Sequence, residues 1–78
     1  MDYNELLHIA ERQINEVPIN GFFLVKDLFT GTMWTSLPTG VKLGFGRFFK
    51  NKVTSGTIAN IEYIGKIQNN SARYKKIS

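Results

Sequence analysis

The 78 residues suffice for one small domain, and the absence of cysteine excludes a disulfide framework or a thiolate metal site. With 42% hydrophobic residues the composition is that of a folding chain, and a single histidine, His8, leaves no basis for a metal-ligand cluster or a cofactor site. The net charge of +4 is unevenly placed: residues 1–40 carry two basic and five acidic side chains, while residues 41–78 carry eight basic ones and Glu62 alone. Such asymmetry points to a polyanion-binding C-terminal half, or else to a solvated basic surface.

Along the chain, the spacing of Leu6, Leu7, Ile9, Ala10, Ile14 and Val17 predicts an amphipathic helix over residues 3–17. Asp2 or Asn4 is its candidate N-cap, and Pro18 with Asn20-Gly21 stops it. Phe22 to Val25 is a short extended segment, and Lys26 to Phe29 a brief helix ending near Thr30-Gly31, with Leu24, Leu28 and Phe29 facing the core. Thr32 to Ser36 reads as a turn, with Trp34 as a plug between the second and third helices.

Ser36 is the candidate N-cap of a third helix that runs to about Lys52, with Pro38 in its first turn. Leu37, Val41, Phe45 and Phe48 share its inner face. Gly40, Gly44 and Gly46 each weaken it by about 1 kcal/mol relative to alanine, so packing must hold it. Gly44, beside the apolar face, permits a neighbouring helix to approach closely. Thr54-Ser55-Gly56 ends the helix. Ile58 to Ile67 and Arg73 to Ile77 then form a hairpin around Gln68-Asn69-Asn70-Ser71, with Tyr74 inward, Arg73 and Lys75 outward, and Ile77 closing the bottom of the sheet.

Three helices followed by a C-terminal β-hairpin wing make an α+β winged helix-turn-helix, expected as a single domain over residues 1–78. In such domains the last helix enters the DNA major groove and the hairpin lies alongside. The expected DNA contacts on the helix are Lys42, Arg47, Lys50, Asn51 and Lys52. Arg47 suits a guanine edge or a phosphate, Lys50 a phosphate, and Asn51 an adenine. On the hairpin they are Lys66, Asn69, Asn70, Arg73 and Lys75, although Asn69-Asn70 serves equally well as a plain turn.

Phe23-Leu24-Val25-Lys26-Asp27-Leu28-Phe29, then Trp34, Leu37-Pro38, Leu43-Gly44, Arg47-Phe48-Phe49 and Val53, resemble a small bacterial and phage family of uncharacterised single-domain proteins. That family shares a Leu-Lys-Asp-Leu-Phe…Trp…Leu-Gly-Arg-x-Phe pattern and an Asn-rich turn before a closing Tyr-Lys-Lys, here Asn69 to Lys76. Phe45-Gly46, between Leu43-Gly44 and Arg47, departs from it. The resemblance implies a compact domain of phage-related origin and carries over no catalytic residue.

No nucleophile or acid–base constellation is present, so the expectation is a non-enzyme. The N-terminus lacks the basic and apolar regions of a signal peptide, and the apolar runs are too short to span a bilayer, which together point to the cytoplasm. The expected function is double-stranded DNA binding by a small transcriptional regulator, with a homodimer possible. The alternatives are a module of the same fold that docks on an acidic protein surface, and a binder of RNA or single-stranded DNA.

Overall fold

The structure, a computed structural model, describes residues 2–66 and 72–78. Helix α1 spans Tyr3–Ile14, and its first turn is closed by the Asp2 carboxylate, which accepts from the Glu5 N–H at 2.8 Å. Leu6, Ala10 and Ile14, one face at four-residue spacing, are buried. The helix ends three residues before the expected Val17. A continuing helix would drive the Pro18 ring into the carbonyl of Ile14, so the chain leaves through tight turns in which Glu16 and Val17 donate to Gln13 and Ile14. Asn20 then takes a left-handed φ of 73°, a conformation asparagine tolerates, and turns the chain into strand β1, Phe22–Leu24.

A 3-10 turn, Val25–Leu28, follows directly, pinned where the Asp27 carboxylate accepts from the Leu24 N–H at 2.9 Å. Residues expected to form a turn are a short helix α2, Gly31–Thr35, because the Thr30 hydroxyl accepts from the Met33 N–H and starts it. Ser36 is therefore not the N-cap of the next helix. It closes α2, with its hydroxyl donating to the Met33 carbonyl at 2.8 Å. Trp34 is half-buried and stacks on Phe29 at 5.3 Å, so it covers the core edge without plugging its centre.

Helix α3 spans Thr39–Thr54 and buries Phe45, Phe49 and Val53. The expected Leu37, Val41 and Phe45 do face the core, but the fully buried position one turn after Phe45 is Phe49 and not the expected Phe48. Phe48 is half-buried, tilted against Tyr3 of α1 at 5.4 Å. Gly44 makes this approach possible, since a Cβ there would strike the Tyr3 hydroxyl and lie 2.9 Å from its ring. Gly56, at φ 85°, ends the helix past its Ser55 cap.

Strands β2, Ile61–Lys66, and β3, Ala72–Lys76, pair antiparallel, and β1 adds to the other edge of β3, so the spatial order is β1-β3-β2. Phe23 lies opposite Tyr74, and Tyr63 opposite Tyr74 on the other side. Tyr74 is fully buried, stacked on Phe23 at 5.9 Å and edge-on to Phe49 at 5.0 Å, which joins the sheet to α3. Ile77 does not close the sheet: it lies beyond β3 and is 44% exposed. Thus α3 packs against the three-stranded antiparallel sheet, α1 packs on α3 and on the 3-10 turn, and α2 on that turn, an α+β arrangement. No described helix is long and apolar enough to cross a membrane.

Candidate nucleic-acid interface

The buried stripe of α3 faces α1 and the sheet, so the opposite stripe is left to solvent. At 100° per residue that stripe carries Leu43, Gly46, Arg47 and Lys50. All of them line one concavity of about 690 Å³ between α3 and the hairpin. Five cations line it: Lys26 from the 3-10 turn, Lys42, Arg47 and Lys50 from α3, and Lys66 from β2. No carboxylate is among the lining residues. Asp27, the acidic residue next to Lys26, has its carboxylate turned back on the Leu24 N–H. Like charges converging without a neutralising partner produce a positive field that a polyanion relieves.

Two local devices set this geometry. The Lys50 ammonium sits 4.6 Å from the centre of the Tyr63 ring, a cation–π contact that joins α3 to β2. In β2 the pairing slips between Tyr63 and Gly65, so that Lys66 pairs with Ala72. Strict alternation would place Lys66 on the opposite face from Tyr63. The extra residue, Ile64, returns Lys66 to the side of α3. Gly65 takes φ 136°, a conformation open to glycine, and so permits the bulge.

The structure thus brings together Lys42, Arg47, Lys50 and Lys66 of the expected contacts and leaves the others elsewhere. Asn51 is exposed on α3 but outside the concavity. Lys52 turns toward α1, its ammonium 5.2 Å from the centre of the Phe48 ring. Arg73 and Lys75 occupy the outer face of the sheet, with their charged groups 4.3 and 5.7 Å from the centre of the Phe22 ring. Asn69 and Asn70 lie outside the described residues. Lys26 was missed because its neighbour Asp27 makes the segment look neutral in sequence.

Of the aromatic side chains around the concavity, Trp34 is stacked on Phe29 and Tyr63 has the Lys50 ammonium over its ring. His8 is exposed on α1, and no group of three or more potential metal ligands occurs among the described residues.

The model of a family described as a domain of unknown function, DUF1413, matches residues 8–76. A solved structure described as "SCCmec type IV LP1413 - nucleic acids binding protein" shares the fold, with a TM-score of 0.72 over 97% of this chain and 87% of that one, at 18% identity. No curated protein matches the chain.

Proposed function

The chain belongs to the DUF1413 family, and we propose that it binds double-stranded DNA as a winged helix-turn-helix, with α3 as the groove-reading helix and β2–β3 as the wing. The observation that carries this reading is the convergence of Lys26, Lys42, Arg47, Lys50 and Lys66 on one carboxylate-free concavity between helix and hairpin. The order of elements, with β1 added to the edge of the hairpin, suits that architecture. The description of the structural neighbour as a nucleic-acid-binding protein supports it further.

Duplex is favoured over single strands by the state of the aromatic rings. Binding of single strands uses open ring faces on which bases stack. Here Phe45, Phe49 and Tyr74 are fully buried, and the rings beside the concavity, Trp34 and Tyr63, are half-buried and each already pairs with a neighbour. What α3 presents instead is its solvent-facing stripe with Arg47 and Lys50, and a major groove about 12 Å wide admits a helix. Phosphate contacts from the lysines and from Arg47 would fix register on the duplex. A small transcriptional regulator is the role that fits such a domain.

Mobility-shift competition tests the reading. Labelled duplex should be retained by the protein at low salt and displaced by unlabelled duplex more effectively than by either single strand. Failure to shift any duplex at low salt would sink it.

A further inference from the structure

Leu43 stands out on the α3 ridge. It is 61% exposed and lies among Lys42, Arg47 and Lys50, all lining the same concavity. A surface built only to hold phosphates has no use for an exposed leucine there, since water solvates it poorly and it screens no charge. Gly46, one turn further along the same stripe, also lines the concavity, and a Cβ at Gly46 would meet nothing within 4 Å. Its missing side chain therefore serves no packing inside the protein, in contrast to Gly44, whose space is filled by Tyr3. Leucine and bare helix backbone together make a small apolar step between cations.

In the major groove the apolar group available to such a step is the C5-methyl of thymine. We infer that Leu43 is a specificity-determining residue that contacts a thymine methyl, with Gly46 leaving room for the base edge to approach the helix. The inference rests on the proposed duplex binding. It assigns α3 a preference for thymine at the position facing Leu43, beyond the sequence-independent attraction of the cations.

The test compares a short alternating adenine–thymine duplex with the same duplex carrying uracil in place of thymine, which removes only the methyl groups. Binding is followed by fluorescence anisotropy for the wild-type chain and for Leu43→Ala, with circular dichroism to verify that the variant folds. Burying one methyl corresponds to about a fourfold change in affinity. The wild type should bind the thymine duplex about fourfold more tightly than the uracil duplex. Leu43→Ala should bind both alike, at the wild-type level for uracil. Equal wild-type affinity for the two duplexes, or an equal loss on both in Leu43→Ala, overturns the inference while duplex binding stands. Binding to neither of these duplexes by a wild-type chain that shifts a mixed-sequence duplex overturns the inference alone; failure on the mixed-sequence duplex as well overturns the proposed function and the inference with it.

Discussion

Gly44 and Gly46 lie two residues apart in α3, and alanine at each should move stability in opposite directions. Inside a helix alanine is better than glycine by about 1 kcal/mol. At Gly46 the added Cβ meets nothing within 4 Å, so the whole gain is kept. At Gly44 it strikes the Tyr3 hydroxyl and lies 2.9 Å from the ring. That ring is packed against Phe45 and Phe48, at 6.1 and 5.4 Å, so making room for the Cβ disturbs both contacts. Overpacking of this kind costs about 1–3 kcal/mol, which outweighs the propensity gain by up to about 2 kcal/mol. Thermal unfolding followed by circular dichroism reads the difference, since 1 kcal/mol shifts the Tm of a domain this size by about 4–8 °C. Gly46→Ala should raise Tm by about that amount, and Gly44→Ala should lower it. In a Tyr3→Ala background the obstruction is gone, and Gly44→Ala should become stabilising. A rise in Tm for Gly44→Ala equal to that for Gly46→Ala, with Tyr3 present, would refute the reasoning.

Single alanine substitutions at Arg47 and Lys66 should each weaken duplex binding and reduce the slope of log K against log salt by about 1. Lys52→Ala should leave both nearly unchanged, because its ammonium lies over Phe48, away from the concavity; titrations at several salt concentrations distinguish the two classes. Gly65→Ala should destabilise the hairpin by about 1–3 kcal/mol, visible in denaturant unfolding, because φ 136° strains any side chain. Burial, reinforced by the nearby Tyr63, pushes the Tyr74 hydroxyl up to about 12 from 10.0. Folding therefore favours the protonated phenol. That contribution is complete below the unfolded pKa and is lost as pH rises through the folded one, so stability should fall between about pH 10 and pH 12. The same hydroxyl has no hydrogen-bond partner among the described residues. Tyr74→Phe should therefore match or exceed wild-type stability at neutral pH and flatten the alkaline decline; a large loss at pH 7 would contradict this.

The parts of this fold that follow from local chemistry were legible in the sequence. The buried face of α1, the end of α3 near Ser55-Gly56, the inward Tyr74 and the close approach permitted by Gly44 all rest on periodicity or backbone freedom within a few residues. The misread parts depend on competing local partners. Ser36 is a good N-cap in isolation, but α2, already started by Thr30, uses its hydroxyl first. On the inner face of α3 Val41 and Phe45 follow from spacing, but Phe48 and Phe49 are equally apolar, and their neighbours sort them: Phe49 packs edge-on to Tyr74 and Phe48 lies against Tyr3. For the candidate site, the helix contribution of Arg47 and Lys50 was readable from spacing. On the hairpin, the outward placement of Arg73 and Lys75 was readable too, but not that it sets them on the face away from α3, nor the side taken by Lys66, because both depend on pairing across the sheet. Arg73 and Lys75 fall on the outer face by alternation, whereas Lys66 reaches the α3 side through the bulge at Ile64. Lys26 enters the site only because the 3-10 turn follows β1, whose pairing with β3 no local pattern announces.

The most direct test of the basic concavity as a DNA-binding surface is an anisotropy titration of labelled duplex over a range of salt, for the wild type and for Arg47→Ala/Lys50→Ala/Lys66→Ala. If the five lining cations each neutralise a phosphate, log K should fall linearly with log salt with a slope of about −4.5 for the wild type. The triple variant should remain folded and lose about three phosphate contacts, its slope falling to about −2. A triple variant that binds duplex with the wild-type affinity and slope would contradict the account.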